Sequence, residues 1–136
     1  MISFHYLNDF KLNDESYAQS IISKLIEEES FKTGEINYIF CSDDYLLKIN
    51  IDFLNHDTLT DIISFDYSVG KILNGDIYIS VDRVKDNSNI FNVSFNNELS
   101  RVMFHGILHY CGYKDKTEEE KLIMRTKEGY YLEKLL

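Results

Sequence analysis

Two histidines spaced four residues apart are the part of this sequence that is best suited to chemistry. His105 and His109 lie in ELSRVMFHGILHYCGYKD, residues 98–115, whose apolar residues recur at the three-and-four spacing of a helix. On a helix, such a pair has its Cβ atoms about 5 to 6 Å apart, so both rings can reach one metal ion. Asp115 follows His109 by six residues and could return as a third ligand. Two histidines and one carboxylate leave a coordination position open for water, as catalytic metal sites do.

The remainder of this helix must position the pair. A buried stripe is predicted from Leu99, Val102, Met103, Gly106, Ile107 and Tyr110. Glu98 and Arg101 fall on the same flank as the histidines, and Gly112 predicts the helix end because glycine adopts a left-handed backbone at little cost. Arg101 is a candidate for steadying a phosphate, and an ordinary salt bridge is an equally good interpretation.

The pair alone is a weak signal, because an HxxxH pattern often belongs to ordinary surface or partly buried histidines. Here the ligand spacing, the glycine stop and the oxygen ligand all occur within residues 105–115, which favours a metal site. The residue after His105 is Gly106, where a zinc protease of the HExxH type needs a glutamate as general base. The pattern therefore argues against a peptidase.

HGILHYCGYKD resembles the HGxLHxxGYDH signature of the YbeY family, metal-dependent bacterial endoribonucleases. His105 and His109 match the first two metal-binding histidines of that signature, and Asp115 stands where the family usually has a third histidine. A second stretch, DTLTDIISF, resembles the family segment DxPTDVLSF through five matching residues: Asp57, Thr60, Asp61, Ser64 and Phe65. Leu54 stands where the family commonly has an arginine, a bidentate phosphate donor, and His56 is a candidate substitute for it.

The resemblance implies a single YbeY-like α+β domain over residues 1–136, with a mixed sheet of about four strands, about five helices and a metal cleft on the HxxxH helix. It implies a single-strand-specific endoribonuclease that acts in ribosomal RNA processing, including 16S rRNA 3′-end maturation, and in ribosome biogenesis and quality control. In this interpretation Arg101, His105 and His109 are catalytic, and His105, His109 and Asp115 hold the metal. Two alternatives stay open: a non-catalytic ribosome assembly factor with a structural metal, or another metal-dependent hydrolase.

One zinc ion is the expected cofactor, with manganese, iron and nickel as alternatives. Relative to three neutral histidines, the Asp115 carboxylate lowers the net charge at the ion by one, so a bound water should be less acidified. An oxygen ligand also favours manganese or iron more than an all-imidazole site would.

Charge limits the range of partners. The chain of 136 residues carries 14 Lys plus Arg against 23 Asp plus Glu, a formal net charge of -9, which argues against a general polyanion binder. An RNA substrate would need a local basic patch, for which the best candidates are Lys114, Lys116, Lys121 and Arg125. The expected partners are ribosomal RNA and the small ribosomal subunit or its associated proteins, with no DNA and no membrane.

Two cysteines, Cys41 and Cys111, show no CxxC spacing and are expected to be reduced thiols in a cytoplasmic protein. The sequence has no basic start followed by an apolar run, and nowhere do 18 apolar residues occur in sequence, so neither export nor membrane insertion is expected.

Local patterns predict strands at 2–6, 35–41, 60–66 and 74–80, the third of them buried in the sheet. Helices are predicted from about 14 to 29, 43 to 50, 81 to 89, 97 to 112 and 117 onward, the last beginning with a TEEE capping box. The Asn74-Gly75 pair predicts a hairpin turn back to the strand at 60–66. Inner faces are predicted from Tyr17, Ile21, Ile22, Leu25 and Ile26 in the first helix, Tyr45, Leu46 and Ile49 in the second, and Leu122, Ile123, Tyr130 and Leu132 in the last.

Overall fold

The computed structural model describes all residues from Met1 to Leu136. Its elements in chain order are β1 (Ile2–Tyr6), α1 (Glu15–Glu28), β2 (Lys32–Cys41), α2 (Asp43–Leu54), β3 (Ile62–Asp66), β4 (Ile72–Ser80), α3 (Val81–Ile90), α4 (Phe95–Tyr110) and α5 (Glu118–Leu135). The predicted α+β class, with one four-stranded sheet and five helices, is confirmed.

The sheet has the strand order β1-β2-β4-β3. The pairs β1–β2 and β2–β4 are parallel, whereas β3 runs antiparallel to β4, so the sheet is mixed as predicted. The prediction of a buried third strand was wrong, because β3 forms one edge of the sheet. β3 pairs with one neighbouring strand, β4, and not with two as a central strand would. Its β-branched and aromatic residues pack against that strand and the adjacent helices.

The main hydrophobic core lies between one face of the sheet and the helices α1, α4 and α5. Ile22, Leu25 and Ile26 of α1 are fully buried there, together with Tyr38 and Phe40 of β2. The opposite face carries a smaller cluster in which α2 covers the sheet through Leu46 and Ile49 against Cys41 and Ile63.

Helix α4 is fixed over the end of the sheet by a close approach and a hydrogen bond. Gly106 faces Ile62 and Ile77 so closely that an added Cβ would lie 3.1 Å from the Cδ1 atom of each. Tyr110 donates its hydroxyl to the carbonyl of Phe65 at 2.8 Å. These contacts settle the depth and rotation of α4, and with them the direction in which its histidines point.

The ends of α4 follow capping rules. Ser94 accepts from the backbone N–H of Asn97 as N-cap, so the helix starts at Phe95, two residues earlier than expected. Cys111 is the C-cap, and Gly112 has φ +104°, the left-handed conformation predicted for the helix stop.

Several local expectations were wrong. The Asn74-Gly75 pair lies inside β4, and the chain reverses earlier, near Gly70 with φ +59°. The inner face of α5 is Met124, Glu128 and Tyr131, whereas Leu122, Ile123 and Tyr130 are exposed. Tyr17 and Tyr45, each in the first turn of its helix, are exposed as well. No helix combines the length and the apolar character that crossing a bilayer requires.

Candidate metal centre

Three potential ligand atoms converge at the C-terminal end of α4. The Nε2 atoms of His105 and His109 lie 2.9 Å apart, and Oδ2 of Asp115 lies 3.1 Å from the first and 3.2 Å from the second. Donor atoms that each bind one ion at about 2.0 to 2.2 Å are themselves separated by about 3 Å. The three side chains therefore fit a single metal ion, and they are the one group of His, Cys, Asp and Glu in the chain with this arrangement.

The turn after α4 brings the carboxylate back to the histidines. The backbone N–H of Gly112 donates to the carbonyl of His109 at 3.0 Å, and that of Tyr113 donates to the carbonyl of Leu108 at 3.1 Å. These two bonds close the helix and reverse the chain. Asp115 lies on the resulting loop, with 40% of its side chain exposed, which leaves one side of the site open to solvent.

In both histidines, Nδ1, the nitrogen that does not face the proposed metal position, makes a hydrogen bond that holds the ring. Nδ1 of His105 lies 2.6 Å from Oε2 of Glu128, and Nδ1 of His109 lies 2.9 Å from the carbonyl oxygen of Tyr113. A carbonyl oxygen and an ionised carboxylate only accept, so each Nδ1 carries the proton and each Nε2 presents a lone pair. This is the orientation that a metal-binding histidine needs.

Arg101 lies beside the histidines within a network of carboxylates. It makes a two-pronged bond to Glu98, with Nε and Nη2 donating at 2.9 and 2.7 Å, and Nη1 donates to Oε1 of Glu128 at 3.1 Å. Asp61 is 3.7 Å from Nη2. Burial lowers the pKa of Arg101, but the two glutamates outweigh that effect and raise it, so the guanidinium stays charged. Of the two interpretations of Arg101, the salt bridge is present.

Sequence reasoning placed Glu98 on a polar flank and missed Glu128 altogether. Both are buried, at 1% and 2% exposure. A signal for Glu128 did exist, because it stands between Met124 and Tyr131 at helical spacing, so an acidic residue occupies a core position of α5. Such a residue needs a buried partner, and it has two.

A cavity of about 220 Å³ adjoins the metal ligands. It is lined by Arg101, His105, Asp115, Lys121, Met124, Arg125 and Glu128. Lys121 and Arg125 therefore face the site, whereas Lys114 and Lys116 are exposed residues outside its lining. Leu54 and His56 line a different cavity, of about 340 Å³, beside β3. Another cavity, of about 370 Å³, lies between α1 and the start of α4 and touches none of the metal ligands.

The fold and the site together define a single-domain α+β protein with a candidate two-histidine, one-carboxylate metal centre. A solution structure of a protein from Thermotoga maritima has the same fold, with a TM-score of 0.69 and 25% sequence identity over 99% of this chain and 89% of that one. A family model described as Endoribonuclease YbeY matches residues 5–136.

Named relatives agree with the family model. The chain is 57% identical over 128 residues to an Endoribonuclease YbeY from Flavobacterium psychrophilum, covering 94% of this chain and 91% of the relative. It is 58% identical over 128 residues to one from Flavobacterium johnsoniae, covering 94% and 92%. The chain belongs to the endoribonuclease YbeY family of hydrolases, as its two signature segments predicted.

Proposed function

We propose that this protein is a metal-dependent endoribonuclease that cleaves single-stranded RNA during ribosomal RNA processing, including 16S rRNA 3′-end maturation, and in ribosome biogenesis and quality control. The observation that carries the proposal is the convergence of three ligand atoms, with both histidines oriented through Nδ1. Membership of a family whose relatives are named endoribonucleases supports the choice of RNA as substrate.

His105, His109 and Asp115 would hold the metal. Zinc is the first choice because two imidazoles and one carboxylate, with one position left open, make up a common catalytic zinc site. Because the Asp115 carboxylate is an oxygen ligand, manganese and iron are alternatives to zinc, and nickel is a further one. When bound, the metal supplies a Lewis acid and a water of lowered pKa for attack on a phosphodiester.

The cationic residues that line the cavity have two different roles in the proposed function, phosphate binding and support of the site. Lys121 and Arg125 are the cavity cations that can meet the phosphate groups of a substrate, since 55% of each side chain is exposed and each makes only a long ion pair, at 3.5 Å, with Glu118 and Glu128 respectively. Arg101 was a candidate for the same role, but three of its donors already serve Glu98 and Glu128. We therefore assign Arg101 first to holding the site in shape.

Lys114 and Lys116 flank Asp115 on the exposed loop, where they are accessible to an RNA substrate. The proposed partners are ribosomal RNA and the small ribosomal subunit or its proteins. A chain with net charge -9 depends on this local group of cations to approach RNA. The proposed location is the cytoplasm, and two free cysteines fit a reducing compartment.

The test is cleavage of a fluorescently labelled single-stranded RNA by purified protein, with a DNA strand of the same sequence alongside. His109→Ala removes one ligand, and we expect it to abolish cleavage of the RNA. The matched control is His5→Ala, because His5 is an exposed sheet residue that bonds to Asn37 and takes no part in the metal centre. The DNA strand should remain intact.

The same variants separate the enzyme from a non-catalytic assembly factor. If His109→Ala cleaves RNA as fast as the wild type, the proposed site is wrong. If His109→Ala is inactive on RNA and yet restores ribosome assembly in cells as well as the wild type, the assembly role does not depend on cleavage and the proposal fails for that role.

A further inference from the structure

We propose that Glu128 is a positioning residue for the metal centre: it holds His105 with Nε2 aimed at the metal and thereby strengthens metal binding. This inference rests on the proposed metal-dependent function. Glu128 lies in the last helix and would not touch the metal itself, because it contacts Nδ1 of His105 and not Nε2, the nitrogen that would bind the ion.

The geometry is a carboxylate–histidine pair directed at the ion. Oε2 of Glu128 lies 2.6 Å from Nδ1 of His105, a distance typical of a hydrogen bond to a charged acceptor. Glu128 comes from α5 and His105 from α4, so the bond also joins the two helices at the site. With Nδ1 protonated and anchored, the ring can neither flip nor present its other nitrogen.

Glu128 is kept ionised although it is buried. Its other oxygen, Oε1, accepts a hydrogen bond from Nη1 of Arg101 at 3.1 Å, and Nη1 of Arg125 lies 3.5 Å from the same oxygen. Two guanidinium groups therefore pair with the buried carboxylate on the side away from His105.

The two histidines differ in the charge of their supports. His109 donates to a neutral backbone carbonyl, whereas His105 donates to an anion. A charged acceptor increases the basicity of the ring more than a neutral one does. His105 is therefore the stronger of the two ligands, and loss of the charge on Glu128 should weaken metal binding even if the hydrogen bond survives.

Helix α5 has independent anchors that should preserve the fold when Glu128 is changed. Tyr131 is fully buried one turn further along, and its hydroxyl bonds to Glu29, the C-cap residue of α1. Lys127 donates to the same carboxylate at 3.2 Å. Glu128→Gln keeps the size of the side chain but removes its charge and one of its two acceptor oxygens, whereas Glu128→Asp keeps the charge and both oxygens.

The experiment measures the zinc dissociation constant of the full chain by competition with a chromogenic chelator. Wild type is compared with Glu128→Gln, with Glu128→Asp, and with the control Asp43→Asn. Asp43 forms a partly buried ion pair with Arg83 at 3.1 Å, away from every metal-site residue. We expect Glu128→Gln to weaken zinc binding about 10- to 100-fold, Glu128→Asp to restore part of the loss, and Asp43→Asn to change nothing.

A second readout excludes a merely structural role. Long-range ¹H–¹⁵N NMR of the imidazoles reports which nitrogen carries the proton, and in the metal-free wild type His105 should be the Nδ1–H tautomer. Glu128→Gln should show a mixture of tautomers for His105 with His109 unchanged. If zinc affinity and the His105 tautomer both match wild type, the inference is wrong while the proposed function stands. If the wild type itself binds no zinc, manganese, iron or nickel, the proposed function fails.

Discussion

Nε2 of His105 and Nε2 of His109 face each other at 2.9 Å, and neither ring has its Nδ1 free. Two imidazole lone pairs at this distance repel unless something positive lies between them. A proton or a metal ion can take that place, and the nearby Oδ2 of Asp115 adds a third donor. The pair is therefore preorganised for a cation. The hydrogen bonds from the two rings to Glu128 and to the backbone carbonyl of Tyr113 hold the rings in this arrangement.

In the proposed metal centre, the charge of Asp115 would affect the acidity of a water bound to the metal. Asp115→His restores the third imidazole of the family signature and raises the net charge at the ion by one. The pH of half-maximal kcat/KM for RNA cleavage should therefore move down by about one unit. Asp115→Asn is the control, since it removes the charge without supplying a good ligand and should lower metal content. An unchanged pH profile in Asp115→His would show that Asp115 does not ligate the metal.

The two cations that line the cavity beside the metal centre should contribute more to RNA binding than the two lysines on the loop around Asp115. Arg125→Ala and Lys121→Ala are expected to raise KM for single-stranded RNA and to reduce the slope of log kcat/KM against log salt by about 0.7 each. Lys114→Ala and Lys116→Ala, matched in charge but outside the cavity lining, should have the smaller effect. Equal losses in all four variants would contradict the assignment of the cavity as the phosphate-binding surface.

Gly106 is required by packing rather than by backbone freedom. Replacing a mid-helix glycine with alanine adds about 1 kcal/mol to the free energy of unfolding where space allows. Gly129 in α5 has no atom within 4 Å of an added Cβ, so Gly129→Ala should show that gain. In Gly106→Ala the added Cβ meets Ile62 and Ile77 at 3.1 Å, and overpacking costs about 1 to 3 kcal/mol. Denaturant unfolding should rank Gly129→Ala above Gly106→Ala, and the reverse order would contradict the packing observed.

Glu29 should give the fold a pH-dependent stability. Burial raises the pKa of Glu29, but the hydroxyls of Tyr131 and Tyr113 and the ammonium of Lys127 outweigh it and hold the pKa below 4.5. The stabilisation is therefore fully present above pH 4.5 and is lost as pH falls through the depressed pKa. Glu29→Gln should cost about 1.5 to 3 kcal/mol of unfolding free energy at pH 7, and the difference from wild type should shrink below pH 4. A difference that is constant from pH 7 to pH 3 would contradict this.

Both thiols should be unreactive in the folded protein. Burial raises the pKa of Cys41 to about 12 and that of Cys111 to about 12, so neither forms appreciable thiolate at neutral pH. Titration with a thiol reagent at pH 7.5 should be slow under native conditions and should reveal two thiols in denaturant. Fast labelling of one native thiol, absent in Cys111→Ser, would show that the loop after α4 is more open than described.

The convergence of His105, His109 and Asp115 could be predicted from the sequence because all three residues are local. His105, His109 and Asp115 lie within one helix and the turn that follows, where spacing fixes geometry. The antiparallel pairing of β3 with β4 was also predicted, although the Asn74-Gly75 pair used as its signal lies within a strand. A correct pairing was reached there because neighbouring strands tend to pair whatever the turn.

The helical spacing could have indicated that Glu128 is buried, but its partners could not be predicted because they are distant in the chain. Glu128 meets His105 across 23 residues and reaches Arg101 across 27. Apolar spacing also misassigned the inner face of α5, since that face contains a charged residue. Local pattern does not report which buried carboxylate finds a cation, and only the packing of α5 on α4 decides it.

Metal titration of chelator-stripped protein tests the central claim most directly. Zinc is added in steps to the wild type and to His109→Ala, and cleavage of single-stranded RNA and bound zinc are recorded together. We predict no cleavage without metal, a rise that breaks at one equivalent of bound zinc in the wild type, and neither tight binding nor cleavage in His109→Ala. Cleavage by the metal-free wild type, or equal cleavage by His109→Ala, would contradict the account.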